Sequence, residues 1–241
     1  MTTICFDFGN SRQKLAVFNR RDFVEEVVLP NLERDTLAAI IDQYQPQKSI
    51  LSSVMHHPEW LPSWLAEKTQ FHLLNHASRL PVTTPVGKPE TIGADRLALV
   101  SAAVDRFPGQ HNLVIGLGTC ITYNFVNRAA EFLGGSISPG MNMRFKAMHE
   151  QTALLPLVTA DHHFPLVGYD TKTNLQSGVI LGVAGEIDGI IGAYQERYAN
   201  FNVLLTGGDM PFFVPHLKNK IFADPNLIFK GLYAISALNL P

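Results

Sequence analysis

The sequence predicts an α/β protein built from two successive halves, each a β-meander followed by helix. Two observations carry that expectation. First, Ile4-Cys5-Phe6-Asp7-Phe8-Gly9-Asn10-Ser11 and Leu113-Val114-Ile115-Gly116-Leu117-Gly118-Thr119-Cys120 share one pattern, an apolar strand running into a glycine turn. Second, each copy leads into two more strand-like runs, Lys14 to Phe18 with Phe23 to Leu29, and Ile121 to Val126 with Glu131 to Ile137. Self-similarity of this kind is a statement about fold. The expected halves are 1–110 and 111–241, divided near Pro108 to His111.

Taken in order, Ile4 to Phe8 ends at a Gly9-Asn10-Ser11 turn, where glycine supplies backbone freedom, and the return strand follows. Asn31 to Tyr44 has helical spacing, with Leu32, Leu37, Ile40 and Ile41 on one side. Ser49 to Val54 is short, apolar and β-branched, so it reads as a buried strand. His56-His57-Pro58 breaks the chain before a helix at Trp60 to Lys68 and a short strand at Phe71 to Leu74. Leu80 to Glu90, rich in Pro and Thr, reads as an irregular loop. In Gly93 to Phe107, Leu97, Val100, Val104 and Phe107 share one helical face.

In the second half, Met141 to Gln151 is expected to be helical, Leu154 to Tyr169 a loop, and Thr171 to Tyr198 a long helix. Asn202 to Leu205 reads as a strand ending in the turn Thr206-Gly207-Gly208-Asp209. Pro211 to Leu217 reads as a helix, and Asn226 to Phe229 as a last strand before a short C-terminal helix.

Composition narrows the function. Hydrophobic residues make up 46% and charged residues 17%, which suits a soluble globular enzyme. With a net charge of −2 and no basic run, nothing points to nucleic acid. No charged segment followed by an apolar one opens the chain, and no apolar run reads as long enough to span a bilayer. Cys5 and Cys120, both in strand-like segments, are expected to be reduced thiols in the cytoplasm. His162-His163 lacks the spacing of a metal pair.

Three glycine turns at strand ends, Asp7 to Ser11, Gly116 to Thr119 and Thr206 to Asp209, together suggest a bound nucleotide. Neither a Walker sequence nor GxGxxG occurs, which disfavours the P-loop and Rossmann routes. Asp7, beside backbone amides and Ser11, is suited to holding a phosphate through Mg²⁺; an ordinary hairpin turn is the alternative. Asp95 falls in the first turn of its helix or at its cap; capping is the default reading, and the helix dipole also keeps the carboxylate ionised, as a base needs. Phosphoryl transfer to an alcohol needs a metal-bound triphosphate, amide donors and such a base.

The motifs DFGNSRQK, GADRLA, GTCITY, LGGSISPG, the spaced Gly168, Thr171 and Gly178, and TGG occur in the order seen in type III pantothenate kinases. The resemblance runs over essentially the whole chain. It implies duplicated ribonuclease H-like (actin-like ATPase) lobes, each a mixed five-stranded sheet with flanking helices. It also implies homodimerisation with the active site near the interface, and ATP-dependent phosphorylation of pantothenate as the first step of coenzyme A synthesis. By that likeness Asp7, Phe8, Gly9, Asn10, Ser11, Arg12, Gln13, Lys14 and Thr119 are ATP-contacting positions, with Asp7 toward Mg²⁺. Asp95 matches the catalytic base, and Gly93, Ala94, Asp95, Arg96 and Thr171 match substrate-binding positions. Arg96 suits the pantothenate carboxylate, since its fork binds bidentately.

Two positions depart from the family pattern. The second phosphate loop usually opens with an Asp that helps hold a monovalent cation (K⁺ or NH₄⁺); here Gly116 stands there, and Asn124 replaces a second Asp. Val86 replaces a Tyr of the substrate loop. Val86 keeps open a same-fold kinase of another small alcohol, and Gly116 a non-catalytic nucleotide-binding relative.

Overall fold

The computed structural model describes residues 1–85 and 87–240. It forms two compact units: Met1–Gly109 with Val126–Leu133 and Asn226–Pro241, and Gln110–Phe125 with Gly134–Pro225. The C-terminal segment belongs to the first unit.

In the first unit β1 (Thr2–Phe8), β2 (Gln13–Asn19) and β3 (Asp22–Val28) form the meander. Helix α1 (Arg34–Tyr44), β4 (Lys48–Ser53), α2 (Trp60–Lys68) and β5 (Gln70–Leu73) follow. The sheet order is β3-β2-β1-β4-β5. β1 runs antiparallel to β2 and parallel to β4, so the sheet is mixed. Strand alternation sorts its two faces. Ile4, Phe6, Phe8, Leu15 and Val17 pack with Leu37, Ile41, Leu61 and Leu65 of α1 and α2. Cys5, Ala16, Phe18 and Ile50 face the other way, against α3 (Ala94–Arg106) and α7 (Leu227–Asn239), through Ala98, Phe229, Leu232 and Ile235. Asp7 continues the row of Cys5, so its side chain belongs to the α3 face.

The second unit repeats the plan. Its strands are β6 (His111–Leu117), β7 (Cys120–Val126), β8 (Phe132–Pro139), β9 (Phe201–Thr206) and β10 (Phe222–Ala223). The order β10-β9-β6-β7-β8 is that of the first sheet read from its other edge. Helix α4 (Met141–Glu150), α5 (Thr171–Arg197) and the short α6 (Met210–Phe213) complete it. A capping box starts α5: Thr173 N–H donates to the Asp170 carboxylate at 2.7 Å, and Asp170 N–H donates to Thr173 Oγ1 at 3.2 Å. By length and composition α5 is apolar enough to cross a membrane, which the sequence reading did not anticipate. Val179, Ile180, Val183, Ile187 and Ile191 nevertheless pack with Leu113, Ile115 and Leu205 of the second sheet, as in the core helix of a globular protein.

One element is corrected. Asn226 to Phe229 is not a strand; α7 runs through it, and β10 is the last strand. A four-residue apolar run has no period of its own. Over a longer window Leu227, Gly231, Leu232, Ile235 and Ser236 are buried at helical spacing, and Gly231 lies flat against the Ala98 carbonyl of α3.

Candidate active site

Asp7 is the last residue but one of β1 and lies opposite Lys14 on β2 and opposite Ser52 on β4. The turn that follows is a four-residue loop closed by Gly9 N–H donating to the Arg12 carbonyl at 3.1 Å. Asn10, Ser11 and Arg12 are exposed at its tip. Gln13 braces the base, its amide donating to the Gly9 carbonyl at 3.3 Å. The Phe8 side chain is buried in the α1/α2 core, which leaves only backbone for a ligand. Lys14 Nζ donates to Glu26 at 2.7 Å, and its positive charge is felt at Asp7.

Asp95 lies in the first turn of α3. Its carboxylate accepts from its own N–H and from that of Arg96, and it folds back over the bare Cα of Gly93, where a Cβ would come within 2.5 Å of Oδ1. The capping role and a chemical role are therefore not exclusive. Burial raises the Asp95 carboxyl above the ordinary range, and those amides together with the Arg96 charge only partly offset it. Asp7 is pushed up to about 7, by burial first and next by the negative charge of Asp95; Lys14 pulls the other way. The Asp7 carboxyl thus senses the charge of Asp95 from another element of the same unit, and strongly perturbed carboxyls cluster at functional sites.

Arg96 places its guanidinium 5.5 Å over the Phe132 ring. The loop before α3 is anchored through Thr83, whose N–H donates to the Ala130 carbonyl at 2.9 Å, while Phe132 N–H donates to Thr83 O at 2.8 Å. A 3₁₀ turn, Pro89–Thr91, delivers the chain to Gly93. Val86 lies outside the described residues. Beside Gly93 and Ala94 is a cavity of about 400 Å³, lined also by Val54, Asn75, His76 and Glu90.

In the second unit, Gly118 and Thr119 form a tighter, two-residue turn, with Gly118 N–H donating to the Cys120 carbonyl at 3.1 Å. The sequence reading undervalued what shapes this turn. Gly207 has φ +103° and sits so close that a Cβ would lie 2.1 Å from the Leu117 carbonyl, and one on Gly140 would lie 2.2 Å from that of Gly118. Gly116 pairs with Thr206 in the sheet, and the Asn124 amide donates to the Val114 carbonyl at 3.2 Å. Thr171 is exposed at the first position of α5. Predicted substrate positions therefore fall in both units, Gly93 to Arg96 in the first and Thr171 in the second.

Among the described residues no group of three His, Cys, Asp or Glu side chains is arranged to hold a metal unaided. A lone desolvated carboxyl with a second one nearby fits instead a divalent cation that arrives with a phosphate ligand.

The model of the type III pantothenate kinase family matches residues 3–193. The type III pantothenate kinase of Bacteroides fragilis is 42% identical over 98% of this chain and 98% of its own. Among solved structures, a conserved Baf-family protein from Campylobacter jejuni aligns over 97% of both chains with a TM-score of 0.60 at 20% identity. A candidate N-acetylmannosamine kinase from Listeria monocytogenes aligns over 98% of this chain and 99% of its own, with a TM-score of 0.53 at 14% identity. These two likenesses speak to fold alone, the doubled five-stranded architecture. With the paired acids standing in the matched region, the chain belongs to the type III pantothenate kinase family, whose enzymes phosphorylate pantothenate with ATP.

Proposed function

We propose that Asp95 is the catalytic base and Asp7 the magnesium residue of this pantothenate kinase. The observation that carries the reading is that the charge of Asp95, at the start of α3, bears on Asp7 near the end of β1, with both carboxyls desolvated in the same unit. Asp95, held by first-turn amides, is oriented to take the proton of the pantothenate primary hydroxyl as its oxygen bonds to the γ-phosphorus and the bond to ADP breaks. A base whose carboxyl is raised above the ordinary range has more driving force for that transfer than a free aspartate. Arg96 pairs with the pantothenate carboxylate, and Gly93 and Ala94 offer backbone at the wall of the adjoining cavity. Asp7 would hold Mg²⁺, which when bound neutralises phosphate charge; by the family likeness the exposed tip Asn10 to Arg12, with Gln13 and Lys14, and, in the second unit, Thr119 are nucleotide-contacting positions. Thr171 completes the substrate set.

Gly116 and Asn124 supply no carboxylate, so these residues do not fit a carboxylate-held K⁺ or NH₄⁺, and we assign none. Exposed apolar side chains at Leu154, Leu157, Leu166, Val167 and Tyr169, just ahead of Thr171, support a homodimer that covers them. Two free thiols, Cys5 and Cys120, suit the cytoplasm. Pantothenate-dependent ADP release measured in sodium, potassium and ammonium buffers, on wild type and Asp95→Asn, tests the assignment. Turnover equal in the three salts and lost in Asp95→Asn is expected. Full turnover in Asp95→Asn removes the base from this position, and sedimentation at working concentration tests the dimer.

A further inference from the structure

Ser52 is fully buried on β4, and its hydroxyl meets no hydrogen-bond partner. That is costly, because an unpaired buried hydroxyl loses its hydration and gains nothing in exchange. The same unit satisfies comparable groups without difficulty. Ser49, three residues earlier and equally buried, shares a 2.6 Å hydrogen bond with Thr69, and buried Ser101 donates to the Leu97 carbonyl at 2.7 Å. The orphan is therefore local to Ser52.

Its position says what the hydroxyl is for. Ser52 and Asp7 are partners in the parallel β1–β4 register, and strand alternation puts Ser52 on the side of Ile50, the α3 face. Partnered residues of adjacent strands stand about 4.8 Å apart, within reach of a serine hydroxyl and a carboxylate that change rotamer. The row across the sheet reads Lys14, Asp7, Ser52, with Glu26 already engaged by Lys14. Asp95 from α3 is the other charge that bears on Asp7.

We infer that Ser52 is a positioning residue for the magnesium–nucleotide complex: its hydroxyl donates to the Asp7 carboxylate once the site is loaded and fixes the rotamer that meets the metal. The inference rests on the reading of Asp7 given above. Calorimetric titration with a non-hydrolysable ATP analogue, with and without Mg²⁺, tests it on wild type, Ser52→Ala, Ser52→Thr, Ser52→Cys and Asp7→Asn, alongside thermal melts of the unliganded proteins. Ser52→Ala should melt no lower than wild type, because an unsatisfied group is removed. It should lose about tenfold of the affinity that Mg²⁺ adds, the size of one hydrogen bond to a charged group, while magnesium-free binding is unchanged. Ser52→Thr, which keeps the hydroxyl, restores the gain; Ser52→Cys, a poor donor, behaves as Ala. A full magnesium gain in Ser52→Ala overturns the inference and leaves Asp7 in place, provided Asp7→Asn loses it. A full gain in Asp7→Asn overturns the Asp7 reading and the inference together. A lowered melting temperature in Ser52→Ala with no rescue by Thr assigns the hydroxyl a structural role and also overturns it.

Discussion

At the end of β1 stands Asp7, and at the matching end of β6 stands Gly116. Their parallel-strand partners correspond as well, Ser52 on β4 and Thr206 on β9. Yet the turns that follow are made differently. The first is a four-residue loop whose glycine is uncrowded, a Cβ on Gly9 meeting nothing closer than the Arg12 carbonyl at 3.4 Å. The second has only two residues and is gripped by Gly140 and Gly207. One strand order thus supports two kinds of turn, an open one beside charged side chains and a tight one shaped by close backbone contacts. Both carboxyls proposed for the chemistry, Asp7 and Asp95, sit in the first unit.

The comparison can be broken hardest at Asp95. General-base catalysis contributes on the order of 10²–10⁴-fold, so Asp95→Asn should lower kcat by about a thousandfold with little change in melting temperature, measured by coupled ADP release and calorimetry. The second turn breaks by geometry instead. Gly207→Ala meets both a positive φ and the Leu117 carbonyl, and should cost about 2–4 kcal/mol in chemical denaturation. Gly9→Ala, at the open turn, should cost under about 1 kcal/mol. If the two substitutions cost the same, the contrast between the turns fails.

A smaller effect sharpens the electrostatic side. Because the Asp7 carboxyl is raised to about 7, its proton is held more tightly in the folded than in the unfolded chain. Its contribution to stability is complete below about pH 4, the ordinary carboxylate value, and is lost as pH rises toward 7. Unliganded Asp7→Asn should therefore gain on the order of 2 kcal/mol over wild type at pH 8, and little at pH 4, in denaturant titrations. No difference between the two pH values would mean that Asp7 is not desolvated in solution. The smallest expected effect is at Gly116: exchanging potassium for sodium should alter turnover by less than about twofold, and a larger dependence would show a cation held by groups other than carboxylates.

Much of this was legible in the chain. The alternating run into Gly9 and its echo into Gly118 announced the doubled sheets, because a strand buried on both faces and ended by glycine has few other readings. The spacing of Leu97 and Val100 announced α3 with Asp95 in its first turn. What failed was short-range: Asn226 to Phe229 is too brief for its period to separate strand from helix, and the packing of α7 against α3 is a long-range fact. Gly207 looked like a turn glycine, although its crowding comes from Leu117, on a strand far away in sequence.

By itself the sequence determined the α/β class, the duplication, and the presence of Asp7 and Asp95 at element ends, since hydrophobic period, glycine and helix-start chemistry are local properties. Only the tertiary structure decided that the charge of Asp95 bears on Asp7, that Asp95 is held by its own helix amides, and that an unpartnered Ser52 stands beside Asp7. Desolvation and strand register depend on which distant segments are folded together, and 45 residues separate Asp7 from the strand position that pairs with it.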